Sequence, residues 1–206
     1  MSVGKKSILL ILAVVIVDQI SKIWIKTNFE LGDSVRVTSW FYIHFVENPG
    51  MAFGMKFIPK LYLTLFRIVA VIGIGYLIYR FIKQNKYPTG FIICLSLIFA
   101  GALGNIIDSV FYGVIFDTGT VFNPDLQTYI GYQGVSTLST QGYAPLFHGN
   151  VVDMLDFPLF TFPEWVPFFG GGVFFSPIFN LADSAITIGV ACLLIFYRKL
   201  LDDKKR

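Results

Sequence analysis

Four long apolar runs set the pattern of the chain, covering roughly residues 7–26, 61–82, 90–114 and 176–197. Each is long enough to cross about 30 Å of hydrocarbon as a helix rising about 1.5 Å per residue. The first begins after Lys5 and Lys6, as the core of a signal peptide would. However, Asp18-Gln19-Ile20-Ser21-Lys22 follows without a small-residue cleavage pattern, and the apolar pattern resumes to Ile25. The run therefore predicts an uncleaved helix. Residues 34–46 are rich in β-branched and aromatic side chains with partial alternation, which predicts strands. Residues 115–175 form a long connection dense in aromatics, and Gly170-Gly171-Gly172 predicts a flexible joint before the fourth run. The expected fold is an all-α polytopic membrane protein: one integral-membrane domain over residues 1–206, with four transmembrane helices and a long outer loop.

Composition agrees with this. Of 206 residues, 55% are hydrophobic and 14% charged, and the mean hydropathy is +0.68; an ordinary soluble domain is excluded. The net charge of +3 does not imply nucleic-acid binding, but its distribution orients the spans. Lys5 and Lys6, then Arg80, Lys83 and Lys86, then Arg198, Lys199, Lys204, Lys205 and Arg206 all fall on one side of a four-span arrangement. That side is the cytoplasmic one, so both termini are expected there. Residues 115–175 contain no Lys or Arg but carry Asp117, Asp125, Asp153, Asp156 and Glu164, and belong outside. Residues 27–60 fall outside too, although they include Arg36, Lys56 and Lys60. Cys94 and Cys192 lie in apolar runs and read as small hydrophobes.

Against this background the buried charges stand out, because charge in hydrocarbon is costly and marks function by default. Asp18, Asp108 and Asp183 are expected roughly 9–12 Å below the outer surface, at about 1.5 Å per residue, with Arg67 at a similar depth. Asn105 precedes Asp108 by three residues, and Asn180 stands in the same relation to Asp183, which on a helix puts each pair on one face. Clustered carboxylates can bind a metal, relay protons, pair with a cation or activate water as an aspartic dyad. Asp18 with Lys22 also reads as a local i,i+4 salt bridge, and Asn105 with Asp108 as an interhelical hydrogen-bond knot. Asp183, flanked by Asn180 and Ser184, is harder to assign to packing. Asp153 sits in the strand-like Gly149-Asn150-Val151-Val152-Asp153-Met154, and Asn48-Pro49-Gly50 reads as a turn. His44 and His148 lack ligand-spaced partners, so no metal or cofactor is expected. No serine elbow, zinc-protease helix or phosphate loop is present.

In their order, five motifs resemble the lipoprotein signal peptidase (signal peptidase II) family of bacterial membrane aspartic proteases. They are Asp18-Gln19 with Ser21-Lys22; Asn48-Pro49-Gly50-Met51-Ala52-Phe53-Gly54; Gly101-Ala102-Leu103-Gly104-Asn105-Ile106-Ile107-Asp108; Val151-Val152-Asp153; and Phe179-Asn180-Leu181-Ala182-Asp183-Ser184. The resemblance implies cleavage of a prolipoprotein before a Cys that already carries diacylglycerol, with Asp153 and Asp183 as the catalytic pair. It implies a small extracytoplasmic β-cradle, residence in the bacterial cytoplasmic (inner) membrane among phospholipids, and inhibition by globomycin-type cyclic peptides. Asn48, Gly50, Asn105, Asp108 and Asn180, together with Asp18 and Lys22, map to positions that shape the site or hold substrate. Two departures appear: Ser109 stands where the family usually has Arg, and the connection from Asp108 to Asp153 is longer than usual. Arg67, at similar depth, either replaces that cation or snorkels to the outer headgroups. The rival reading is a small proton-coupled transporter or binding protein using the same carboxylates. The acids cluster near one surface with no polar path onward, which argues against it.

Overall fold

The computed structural model describes residues 1–50 and 60–202. Met51-Ala52-Phe53-Gly54, Lys56 and the basic tail residues Lys204, Lys205 and Arg206 lie outside the described residues. In chain order the elements are α1 (Val3–Lys26), β1 (Ser34–Arg36), β2 (Tyr42–Asn48), α2 (Lys60–Gln84) and α3 (Thr89–Ile107). A π-helical turn over Asp108–Tyr112 then leads into the short α4 (Gly113–Ile115). The hairpin β3 (Val121–Asn123) and β4 (Thr128–Ile130) follows, then β5 (Val151–Asp156), β6 (Phe160–Thr161), β7 (Val173–Phe174), α5 (Leu181–Phe196) and α6 (Arg198–Asp202).

Among the described residues, three helices, α1, α2 and the continuous stretch Thr89–Ile115, are long and apolar enough to cross a membrane. Along their middle turns the exposed side chains are apolar: Ile8, Leu12, Ile16 and Ile20 on α1, and Phe66, Val69, Ile72 and Tyr76 on α2. Such outward apolar faces need lipid rather than water. The most buried of the three, α3, packs against α1, α2 and α5. Small residues permit this approach. A Cβ on Gly101 would lie 2.1 Å from the Ala182 carbonyl oxygen, and one on Gly104 would lie 2.7 Å from Asp18 Oδ2.

The fourth apolar segment departs from expectation. Helix α5 starts at Leu181 rather than residue 176 and has 16 residues. The preceding segment is instead drawn to β5: Leu155 N donates to Phe179 O at 2.7 Å, and Phe179 N donates to Leu155 O at 3.1 Å. Asn180 then caps the helix, its side-chain oxygen accepting from Asp183 N at 2.8 Å. Asp183 therefore occupies the first turn of α5, not a position seven residues inside a span.

β1, β2 and β5 form an antiparallel sheet with β2 in the centre. Strands do appear within 34–46, and β2 runs on to Asn48. The β2–β5 register pairs Tyr42 with Asp156, Val46 with Asp153 and Asn48 with Val151, with a shift between Ile43 and Val46. A cluster of Ile25, Phe45, Tyr112, Phe116, Val152 and Met154 fastens this sheet to the end of α1 and to the π-helical turn. The triple glycine is a defined turn, not a joint: Gly170 N donates to Val166 O at 2.8 Å and Gly171 N to Phe162 O at 3.0 Å. It closes the β6–β7 hairpin, whose aromatic tip leaves Trp165 and Phe168 exposed.

Candidate active site

Strand β5, the start of α5 and the end of α3 bring the polar residues together. Asp153 is 2% exposed and Asn180 fully buried. One Asn180 amide nitrogen faces three acceptors: Asp153 Oδ1 at 2.7 Å, Asn105 Oδ1 at 3.1 Å and Val152 O at 3.2 Å. Asn105 in turn donates through Nδ2 to Asp183 Oδ1 at 2.7 Å. Asp153 and Asp183 are thus joined by a two-asparagine bridge, Asn180 donating to the first and Asn105 to the second. Asn48 also hydrogen-bonds Asp153, and its side-chain oxygen accepts from Gly50 N at 2.9 Å. Gly50 has φ +92°, a conformation that disfavours any side chain there.

Asp153 lies on β5, outside the spans, and its environment shifts it strongly. Burial disfavours its charged form, and the neighbouring Asp183 adds like-charge repulsion; together they raise it to about 7. The hydrogen bonds from Asn180 and Asn48 offset part of this. A carboxylic acid that holds its proton near neutrality beside a second carboxylate is equipped for acid–base work.

Behind this pair lies a second, closed cluster. Lys22 Nζ contacts Asp18 Oδ2 at 2.9 Å and Asp108 Oδ2 at 2.8 Å, all three side chains being fully buried. It also donates to Asn105 Oδ1 at 2.9 Å. Asp18 Oδ1 accepts from Ala182 N at 2.9 Å, which ties α1 to the N-terminus of α5. Asp108 accepts from Gln19 Nε2 at 2.8 Å and from Val152 N at 3.3 Å. The expected local Asp18–Lys22 pair is therefore part of a three-element knot. Asp18, Lys22 and Asp108 support the site from within; Asn105 connects the knot to Asp183. The π-helical turn contributes here, since it packs Asp108, Ser109 and Tyr112 inward together.

Arg67 reaches the site from α2. Its Nη1 is 3.5 Å from Ser109 Oγ, and its charge interacts with Asp183, Asp153 and Asp108. His44 pairs with Asp156 at 3.2 Å, away from this centre. Among the described residues, no three or more His, Cys, Asp or Glu side chains are arranged to hold a metal ion.

A further polar cluster was not legible in the sequence. Lys26, at the end of α1, is fully buried and paired with Glu47. It donates to Thr118 O at 2.9 Å and Tyr132 OH at 3.2 Å, and its Nζ lies 5.0 Å from the ring centroids of Phe116 and Tyr132. Glu47 accepts from Thr120 N at 2.7 Å and Asn150 Nδ2 at 2.9 Å. Burial works against its charge, but Lys26 and these donors outweigh it and hold Glu47 below the usual carboxylate range. Lys60 closes the cluster by donating to Asn150 Oδ1.

Comparison with known proteins gives this arrangement a context. The family described as signal peptidase (SPase) II matches residues 10–199. A lipoprotein signal peptidase of Porphyromonas gingivalis is 49% identical, covering 98% of this chain and 88% of that protein. One from Amoebophilus asiaticus is 34% identical over 89% of this chain and 74% of its own length. A solved bacterial membrane enzyme, determined by the in meso method at 2.3 Å, superposes with a TM-score of 0.63 at 30% identity, covering 97% of this chain and 90% of that one. With three helices fit to cross a membrane and a family match over nearly its whole length, the chain is an integral membrane protein that belongs to the signal peptidase II family of peptidases.

Proposed function

We propose that the protein is an aspartic endopeptidase that removes signal peptides from prolipoproteins, cutting before a Cys that carries diacylglycerol, with Asp153 and Asp183 as its catalytic pair. The observation that carries this reading is the bridged pair itself: two carboxylates, one on a strand and one at a helix N-terminus, with Asp153 raised to about 7. Two such groups share one proton, because both cannot ionise cheaply side by side. The ionised member takes a proton from water, which attacks the scissile carbonyl. The protonated member hydrogen-bonds the developing oxyanion and then gives its proton to the departing amine. Asn105 and Asn180 hold the two carboxylates at fixed separation throughout.

The remaining parts take roles around that pair. Asn48 and Gly50 border the entrance and offer polar groups to the peptide, while Arg67 supplies the positive charge that Ser109 does not. Asp18, Lys22 and Asp108 keep α1, α3 and α5 in register beneath the pair. The chain forms one domain of four spans, α5 being the fourth, with both termini cytoplasmic. The β1-β2-β5 sheet forms an extracytoplasmic cradle over the site. Exposed Trp24, Trp40 and Trp165 suit the headgroup region of the surrounding phospholipid. The acyl chains of the substrate lie along the apolar outer faces of the helices, and globomycin-type cyclic peptides compete for the same site.

The test is cleavage of a synthetic lipidated peptide by purified protein in detergent, with no ion gradient. Wild type cleaves it; Asp153→Asn and Asp183→Asn each abolish cleavage, because an amide keeps the shape but cannot accept the water's proton. The double variant is no worse than either single one, since both act on one water. Turnover that required a gradient, or substantial activity in either single variant, would overturn the assignment in favour of a carrier or another pair.

A further inference from the structure

A cleft of about 460 Å³ opens beside Asp153. Val46, Glu47 and Asn48 at the end of β2 line it, with Pro49 just beyond and Ser176 and Ile178 from the segment before α5. The other contributor is unexpected. Tyr129 belongs to β4, in the long connection between Asp108 and Asp153, yet it lines the same cleft. Its ring is braced edge-on by Phe122 of β3, with centroids 5.3 Å apart.

The hairpin that carries Tyr129 is held at both feet. Before β3, Thr120 N donates to Glu47 Oε2 at 2.7 Å and Thr120 O accepts from Asn150 Nδ2 at 2.7 Å. After β4, Tyr132 OH donates to Glu47 Oε1 at 3.2 Å. Glu47 is the neighbour of Asn48, which hydrogen-bonds Asp153, and Asn150 immediately precedes β5, the strand of Asp153. The buried Lys26–Glu47 pair thus anchors the inserted hairpin to the two strands that flank the catalytic carboxylate. Ordering is supplied before any ligand arrives, so a ring placed there acts as a fixed wall.

We infer that the β3–β4 hairpin is one wall of the substrate cleft and that Tyr129 is a specificity-determining residue. It receives the side chain of a peptide residue next to the scissile bond. The occupant is an extended peptide segment with an apolar side chain at that position, because Val46, Pro49, Ile178 and the Tyr129 ring form an apolar slot beside the polar Asn48 and Asp153. This rests on the endopeptidase reading above and adds what the insertion selects.

The experiment uses the full chain in detergent with a panel of lipidated peptides that vary in side-chain size on either side of the lipidated Cys. Tyr129→Ala raises KM about tenfold for the best peptides with large apolar side chains and flattens the ranking across the panel. It leaves kcat within about twofold and the pH profile unmoved, since no reacting group is touched. Tyr129→Phe keeps the wild-type ranking, because the ring and not the hydroxyl forms the slot. In a separate arm, a benzophenone amino acid in place of Tyr129 cross-links the peptide, whereas one in place of the exposed Leu126 does not. An unchanged ranking with Tyr129→Ala, an equal loss on every peptide, or a missing cross-link in an enzyme that still cleaves overturns the inference alone. A cross-link in a protein that cleaves no lipidated peptide overturns the endopeptidase reading and leaves the cleft as a peptide site. No cross-link in a protein that also cleaves no lipidated peptide removes both.

Discussion

Replacing Asp153 by Asn should destroy activity and stabilise the fold by an amount that grows from nothing near pH 4 to its full value near pH 7. Folded Asp153 releases its proton near 7, because burial and then the charge of Asp183 disfavour its ionised form; an ordinary aspartate does so near 3.8. The sign follows from proton binding. Between these two values the folded chain holds a proton that the unfolded chain has lost, so stability falls as pH rises through the interval. Below about 4 both states are protonated and no penalty remains; above about 7 the whole penalty is present. At about 1.4 kcal/mol for each pH unit between the two values, it amounts to about 4 kcal/mol. Asn carries no charge at any pH and still offers its side-chain oxygen to the amide of Asn180. Asp153→Asn should therefore match wild type in thermal unfolding near pH 4. At pH 8 it should melt higher by roughly 8–16 °C, taking about 2–4 °C per kcal/mol for a chain of this size. The assay is a thermal shift series in one detergent from pH 4 to 8.5, with abundance and insertion matched. A variant that melts lower at pH 8, or whose advantage is the same at pH 4 and pH 8, would refute the claim that Asp153 is held in a site that resists its charge.

Other outcomes follow from the same contacts. Asn180→Ser can still cap α5 but loses the amide that donates to Asp153, whereas Asn180→Ala loses both; both should move the acid limb of the pH–rate profile upward, and only Ala should lose a further ~1 kcal/mol of stability from the cap, read by denaturation. Lys22→Met leaves Asp18 and Asp108 buried without their cation and should cost about 3–5 kcal/mol, part of which should return when Asp18→Asn is added, as measured by melting of the double variant. Arg67→Gln should cut kcat/KM about tenfold or more, with wild-type abundance; restoring the usual family residue through Ser109→Arg in that background should recover part of it, and no recovery would separate the two positions.

Much of the scaffold could be read from the pattern because the bilayer imposes it. Apolar runs must be helices where no water can satisfy the backbone, so α1, α2 and α3 were placed within a few residues. The error at α5 has a definite cause. Residues 176–180 are apolar enough to extend a span, but Asn180 captures the Asp183 amide and Phe179 pairs with Leu155, and both interactions depend on a partner strand far away in sequence. The residue count that set the depth of Asp183 started from residue 176 and loses its starting point with it. The pattern offered Asp18 with Lys22 and Asn105 with Asp108 as separate pairs; the structure joins them into one knot through Lys22, because in-membrane charges seek each other wherever the chain places them. What the pattern concealed was their accessibility. Asp18, Lys22 and Asp108 carry motif positions as Asp183 does, yet they are sealed behind it. Lys26 and Glu47 gave no signal at all: a Lys at a helix end reads as one that snorkels to water, and only the folded 115–150 insertion buries it.

The division between the open pair and the sealed knot explains why one chain needs so many acids near one surface. On the mechanism proposed above, the dyad needs one carboxyl group whose charge is resisted, which Asp153 obtains from burial at the sheet and from Asp183. Two such groups repel, and a site left to itself would open to relieve that repulsion. The counterforce has to come from parts that do not titrate with the reaction. Lys22 provides it by satisfying Asp18 and Asp108 and by holding the oxygen of Asn105, whose amide fixes Asp183. Asp18 reaches onward to the backbone of Ala182, one residue before Asp183. Each of these hydrogen-bonded links from the knot to the pair passes through a neutral asparagine or a backbone amide. Proton movement at Asp153 and Asp183 can then proceed without disturbing the charges that keep α1, α3 and α5 together.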